Sequence, residues 1–390
     1  MTAHTPTLAS APRYRAHDVP TPALLVDLTV AQRNIDRMQA YADEHGLGLR
    51  PHTKTHKSLR LAARQLAAGA RGLTVAKVGE AEVLAAADGC GDLLVAYPAF
   101  DPGRRARLAR LARGRGDVAV RVGVDSAVAA DAIADAARDA GATIGLLVDL
   151  DVGMHRTGVQ SPADALALAQ RIDKTKGARL DGIMFYPGHV RGGPDDQAAA
   201  LSEVAVILGE TLALWRKSGL AAAIVSGGST PAAPRSHLVG GATEIRPGTY
   251  VFNDMNTVRA GHAGLDDCAA RVACTVISDA VPGKVVLDAG SKTLTSDRCS
   301  PALDSGFGHV VEYPGAKIVR LSEEHGEVDL SGCSGAPPRL GERIHVIPNH
   351  ICPCVNLQNL SWAGAGLFDG RGAAAGALEP LAIEGRGLTS

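Results

Sequence analysis

The pattern of apolar and polar positions changes character near Asn256. Before it, short apolar runs recur at 48–53, 72–76, 92–97, 118–124, 143–149, 181–186, 222–226 and 244–252, each the length of a strand. Most are separated by alanine-rich segments, as at 58–68, 79–87, 127–140, 162–172 and 197–215. These are flecked with Arg, Asp and Glu and read as helices. Short apolar strands between helices are buried on both faces, as a parallel sheet requires. Eight such units predict a closed α/β barrel, the (β/α)8 TIM-like fold. A doubly wound open sheet is the alternative. No G-x-G-x-x-G follows the first strand, which counts against a dinucleotide-binding version.

Upstream, Thr21-Pro22 opens an apolar strand at 23–26. A helix follows with Thr29 as its expected N-cap. Val30, Ile35, Met38 and Ala42 share a face, and Gly46 stops it. Beyond Asn256 the long helical patterns vanish. Runs at 269–277, 284–287, 309–311, 316–321, 327–330 and 343–347, punctuated by Gly and Pro, predict a mostly antiparallel β domain. The expected organisation is an arm at 1–20, a barrel at 21–256 and a β domain at 257–390. The Gly- and Ala-rich tail after Gly364 is expected to be less ordered at its end.

Composition narrows the function classes. A net charge of −1 gives no electrostatic case for nucleic acid or an anionic membrane, and 3% aromatics give no base-stacking platform. No amino-terminal apolar run has signal-peptide length, and no stretch of about 18 apolar residues is evident. The expectation is a cytoplasmic protein that acts on a small molecule. Seven scattered cysteines form no disulfide framework.

Polar clusters follow the strands, where α/β barrels carry their chemistry. The first is Arg50-Pro51-His52-Thr53-Lys54-Thr55-His56-Lys57, and Lys54 is the candidate to hold pyridoxal phosphate (PLP) as a Schiff base. The plainer alternative is a basic surface loop. Ser226 to Thr230, with two glycines and hydroxyls before a helix start, is a candidate cradle for one phosphate. Its alternative is an ordinary turn. Asp149 to Gly158 supplies Arg156 as a possible cofactor contact, with His155 paired to Asp149 or Asp151. Tyr186-Pro187-Gly188-His189 ends another strand. Near the carboxyl end, His350 and Cys352 lie two apart, so in an extended segment both reach one ion. Imidazole plus thiolate is a zinc donor set that leaves positions for water or substrate. Cys354 is a possible third ligand. A buried edge segment with inert cysteines is the alternative.

Taken together, these motifs resemble fold-type III PLP enzymes, the alanine-racemase-like group of D-threonine aldolases and D-serine dehydratases. The resemblance runs from Thr21-Pro22-Ala23-Leu24 to Val355-Asn356-Leu357. It rests on Arg50–Lys57, Asp151–Gly158, Thr243–Gly248, Asp288–Lys292 and Ser322–Gly326, in that order. It implies a PLP barrel, a β domain carrying a metal, and a head-to-tail homodimer. It implies Lys54 as Schiff-base lysine, Arg156 at the pyridine nitrogen, and Tyr186 at the cofactor. Gly227, Gly228, Ser229 and Thr230, with Tyr250, are implied at the phosphate, and His350 and Cys352 on the metal.

The family's dehydratases carry His-x-Cys with zinc, and its aldolases His-x-Asp with harder ions. The sulfur of Cys352 suits Zn2+ over Mn2+ or Mg2+. Cys354 stands where a threonine is usual. The expected activity is a PLP- and metal-dependent lyase on D-3-hydroxyamino acids. The first choice is dehydration of D-serine or 3-hydroxyaspartate to a 2-oxo acid and ammonia. The alternative is D-threonine-type aldol cleavage, with His56 or a metal-bound water as base. A racemase and a non-catalytic PLP-binding protein are weaker alternatives.

Overall fold

The computed structural model describes residues 14–300, 302–368 and 376–390. Eight parallel strands run in the order Gly48–Leu49, Glu244–Ile245, Ile224–Gly227, Ala178–Phe185, Ile144–Leu150, Ala119–Val124, Asp92–Val95, Leu73–Val75. A bridge between His52 and Thr74 closes the ring, and Thr74 N–H donates to Pro51 O at 2.8 Å. The expected barrel is present. Its first and last strands are shorter than the apolar runs. Pro51 and Pro247 lack the N–H a ladder needs, and the chain turns into 3-10 helices at Thr53–Thr55 and Thr249–Val251.

Side chains alternate in and out along each strand, so the barrel interior is layered. Leu94, Leu147 and Met184 form one apolar layer. Gly123 leaves room for it, because a Cβ there would run into Met184. Beneath and beside it lies a chain of charges. Arg50 donates to Glu244 and Asp92, both at 2.7 Å. Arg121 pairs with Asp92 and Asp181, and Arg179 with Asp181. Arg50 and Glu244 are buried, so each needs its partner's charge.

The strand Ala23–Asp27 precedes the barrel in sequence yet pairs in the second sheet, antiparallel with Ala270–Ser278 and parallel with Leu360–Gly364. All other pairings in that sheet are antiparallel, as the β-rich pattern predicted. Asp27, not Thr29, caps the helix Leu28–Glu44, accepting from the N–H groups of Thr29 and Val30. The strand runs directly into the helix, so the carboxylate at the junction is the group in reach.

Residues 1–13 of the expected arm and 369–375 of the tail lie outside the described residues. Tyr14–Arg15 pairs with the strand Ala377–Ala382. The last residues are tied down, with Gly79 N–H donating to Ser390 O at 2.8 Å. One helix, Ala198–Lys217, is long and apolar enough to span a bilayer by length and composition. Leu201, Val204, Leu208, Thr211 and Trp215 recur at three- and four-residue spacing and are buried in the protein.

Candidate active site

A cavity of about 600 Å³ opens at the carboxyl ends of the barrel strands. Lys54, Arg156 and Tyr186 line it, and so do Gly228, Ser229 and Thr230. His350 and Cys352 reach it from the second domain. Eight sequence-flagged residues from two domains therefore meet in one place.

Lys54 sits in the 3-10 turn Thr53–Thr55 and is exposed to the cavity. The turn is fixed from beneath, with Thr53 Oγ1 donating to Thr74 O at 3.0 Å. His52 lines the cavity and accepts the Lys54 N–H at 3.4 Å. Burial, reinforced by Lys54 and Arg246, pushes its pKa well below the usual value. It is a neutral wall of the cavity.

The candidate phosphate cradle, Gly228 to Thr230, lies on the cavity. The N–H groups of Gly228, Ser229 and Thr230 find no acceptor among the described residues, so three donors remain for an anion. Gly228 takes φ +91°, which turns the backbone there. Thr230 Oγ1 accepts from Gly248 N–H at 3.1 Å. At Gly248 a Cβ would stand 2.9 Å from His52 O, so only glycine lets the two loops approach this closely. Ser226 points elsewhere, its hydroxyl donating to Glu244 inside the barrel at 2.6 Å.

The guanidinium of Arg156 lies 4.8 Å from the Tyr186 ring centroid. His155 pairs with Asp151 at 2.9 Å, one of the two partners expected. Two charged lining residues were not among those expected at the site. Arg246 donates to Ser226 Oγ and Phe185 O, both at 2.8 Å. Burial lowers it to about 10, so it stays charged at neutral pH. Asp149 is pushed up to about 6 by burial, against the pull of the Thr157 hydroxyl 2.8 Å away. Both follow an inward-facing residue by two, at Glu244 and Leu147, and that period of two was the signal available.

His350 and Cys352 come together by a different route than expected. The segment is not extended throughout. His350 is extended, with φ −135° and ψ 107°, and Cys352 lies in the first turn of the helix Ile351–Leu357. Asp254 fixes that helix start by accepting from Ile351 N–H at 3.0 Å. The imidazole and thiol both face the cavity, and each favours the charged form of the other. Burial opposes the charge on each, but the pairing prevails. His350 rises to about 9 and the Cys352 thiol falls below its usual value. Asp297 takes His350 Nδ1 at 2.7 Å, leaving Nε2 for an ion. Nothing in the spacing signalled Asp297. Imidazole and thiolate with a carboxylate behind the ring fit a zinc ion.

Four expected residues stay outside the cavity. His56 is buried and faces Gln65 at 3.1 Å, and Gln65 donates to Tyr250 OH at 2.9 Å. These contacts take both His56 and Tyr250 into the interior. Gly227 lies below the cavity, and a Cβ there would run into the Phe185 ring. Cys354 also turns away. Its thiol meets Thr293 O at 3.1 Å, and burial pushes it up to about 12, so it does not join the pair.

A PLP-type barrel whose lysine turn faces an anion cradle defines a class, the fold-type III enzymes. Two family models match in chain order: "alanine racemase, N-terminal domain" over residues 26–256 and "putative serine dehydratase domain" over 269–361. The chain belongs to this family of PLP-dependent lyases. The D-threonine aldolase of Arthrobacter sp. is 35% identical over 87% of this chain and 88% of its own. The D-threo-3-hydroxyaspartate dehydratase of Delftia sp. (strain HT23) is 37% identical over 85% and 90%. The crystal structure of D-threonine aldolase from Filomicrobium marinum superposes with a TM-score of 0.86 at 32% identity, covering 98% of this chain and 100% of that one.

Proposed function

We propose that the protein is a PLP- and zinc-dependent dehydratase of D-3-hydroxyamino acids, releasing a 2-oxo acid and ammonia. The observation that carries the choice is the His350–Cys352 pair on the Lys54 cavity, backed by Asp297. Bound PLP supplies an electron sink for the substrate's Cα, and bound zinc a Lewis acid for the departing β-hydroxyl.

The chain's own residues supply the rest. Lys54 would hold the cofactor through its amine, and the same amine would serve as the base for the Cα proton. The N–H groups of Gly228, Ser229 and Thr230 hold the phosphate. Arg156, a donor-only guanidinium on the cavity, would face the pyridine nitrogen and so would leave that nitrogen unprotonated. The sink is then weaker, and assistance at the leaving group matters more. His350 Nε2 and Cys352 Sγ would hold the metal, with Asp297 orienting the imidazole. His52, neutral and without a carboxylate partner, walls the site without competing for the phosphate.

Aldol cleavage is the second reading, supported by the similarity to D-threonine aldolases. It needs a base for the β-hydroxyl. His56 is enclosed with Gln65, so that task would fall to a metal-bound water. The deciding experiment incubates PLP- and zinc-loaded protein with D-threo-3-hydroxyaspartate, D-serine and D-threonine. The expected products are ammonia and a 2-oxo acid. Glycine and an aldehyde without ammonia would establish the aldolase instead. Lys54→Ala is expected to abolish turnover and the visible absorbance of the lysine-bound cofactor. We take the working form to be a homodimer, which light scattering in solution tests.

A further inference from the structure

Lys57 closes the motif that carries Lys54, and it does not line the cavity. It is 7% exposed. Its φ of +52° is uncommon for a residue with a side chain, so its surroundings must hold it there. Each of its polar groups is engaged. The N–H donates to Thr53 O at 2.8 Å, closing the turn on which Lys54 rides. The carbonyl accepts from Gly385 N–H at 2.9 Å. The amine donates to Asn356 Oδ1 at 2.7 Å and pairs with Glu80 Oε1 at 3.0 Å. The other Glu80 oxygen accepts from Ala76 N–H at 2.7 Å, on the cavity wall.

Asn356 stands one helical turn beyond Cys352, so both side chains project from one face of the helix Ile351–Leu357. That face meets the lysine-bearing loop at two points. Thr55 Oγ1 lies 3.3 Å from Cys352 Sγ, and the Lys57 amine holds Asn356. A helix of seven residues has little stability of its own, so its placement is set by such contacts.

We propose that Lys57 is a positioning residue. Through Asn356 it fixes where the Cys352 sulfur stands relative to the Lys54 amine, and so builds the metal site against the cofactor site across the domain boundary. It takes part in no bond-making step. The inference rests on the proposed metal role of His350 and Cys352.

The test measures zinc affinity of PLP-loaded protein by competition with a chelator, using zinc alone and no substrate. Asn356→Leu removes the acceptor and leaves the Lys57–Glu80 pair intact. It is expected to weaken zinc binding by about 10- to 100-fold while keeping the visible absorbance of the cofactor. Asn356→Asp keeps an acceptor for the amine and is expected to keep the wild-type affinity. Lys57→Met leaves Glu80 uncompensated and is the harsher variant. If it folds, it should lose zinc affinity as Asn356→Leu does, and the double variant should lose no more than either single one. If Asn356→Leu binds zinc as tightly as wild type, even with a lowered melting temperature, the contact is merely structural and the inference falls. A wild-type protein that binds no zinc would overturn the metal reading itself, which is a different result.

Discussion

His52 and His56 stand four residues apart in one motif, and the fold sends them in opposite directions. His52 walls the cavity, while His56 is sealed against Gln65. Burial depresses His56 to about 4, with the bonds to Gln65 and Ser58 opposing only in part. The unfolded chain, with an ordinary histidine near 6.5, binds a proton more readily than the native state. The stability this group contributes is complete above about pH 6.5 and is lost as the pH falls toward 4. The melting temperature of wild type should drop over that window, and His56→Gln should flatten this part of the curve. The effect is bounded at about 3 kcal/mol.

Asp149 has the opposite sign. Its folded pKa is raised to about 6, so its ionisation costs stability as the pH rises from about 4 through 6. Asp149→Asn should raise the melting temperature of PLP-free protein at neutral pH and leave it unchanged near pH 3. At this scale the place of Lys54 on the cavity was legible, because a residue that follows a strand lies at the barrel mouth. The direction of His56 was not, since spacing within a 3-10 turn does not say which ring faces inward.

Among the elements, the apolar runs marked each barrel strand, and the prolines explain where two of them stop short. The exit of Ile224–Gly227 shows how closely the pieces fit. Gly227 accommodates the Phe185 ring, and Phe185 O in turn accepts from Arg246 on the cavity floor. Gly227→Ala should cost about 1–3 kcal/mol by overpacking. It should also weaken PLP binding, because the neighbouring cradle would shift. Thermal melts and a cofactor titration check both. The i, i+2 spacing of His350 and Cys352 suits an extended segment. Asp254, 97 residues away, instead caps a helix at Ile351, and a partner that distant leaves no local trace.

For the whole molecule, two units were visible in the change of pattern near Asn256. Their interlocking was not. Ala23–Asp27 belongs to the second sheet while the helix it launches, Leu28–Glu44, contacts the barrel strand Gly48–Leu49. Neither unit is complete without the other's chain. Calorimetry should therefore record one cooperative transition, and two well-separated peaks would show that the units melt independently.

The charges along the barrel axis carry a last consequence. From the cavity floor inward they run Arg246, Glu244, Arg50, Asp92, Arg121, Asp181, Arg179, alternating in sign and linked through Ser226 at the top. Apart from Arg179, which is exposed at the far end, reversing or deleting one member leaves buried or half-buried neighbours without their partner. Drift at these positions must then proceed by compensated exchanges. Across related sequences the seven sites should vary together, as complementary pairs or as an apolar block, and seldom one at a time.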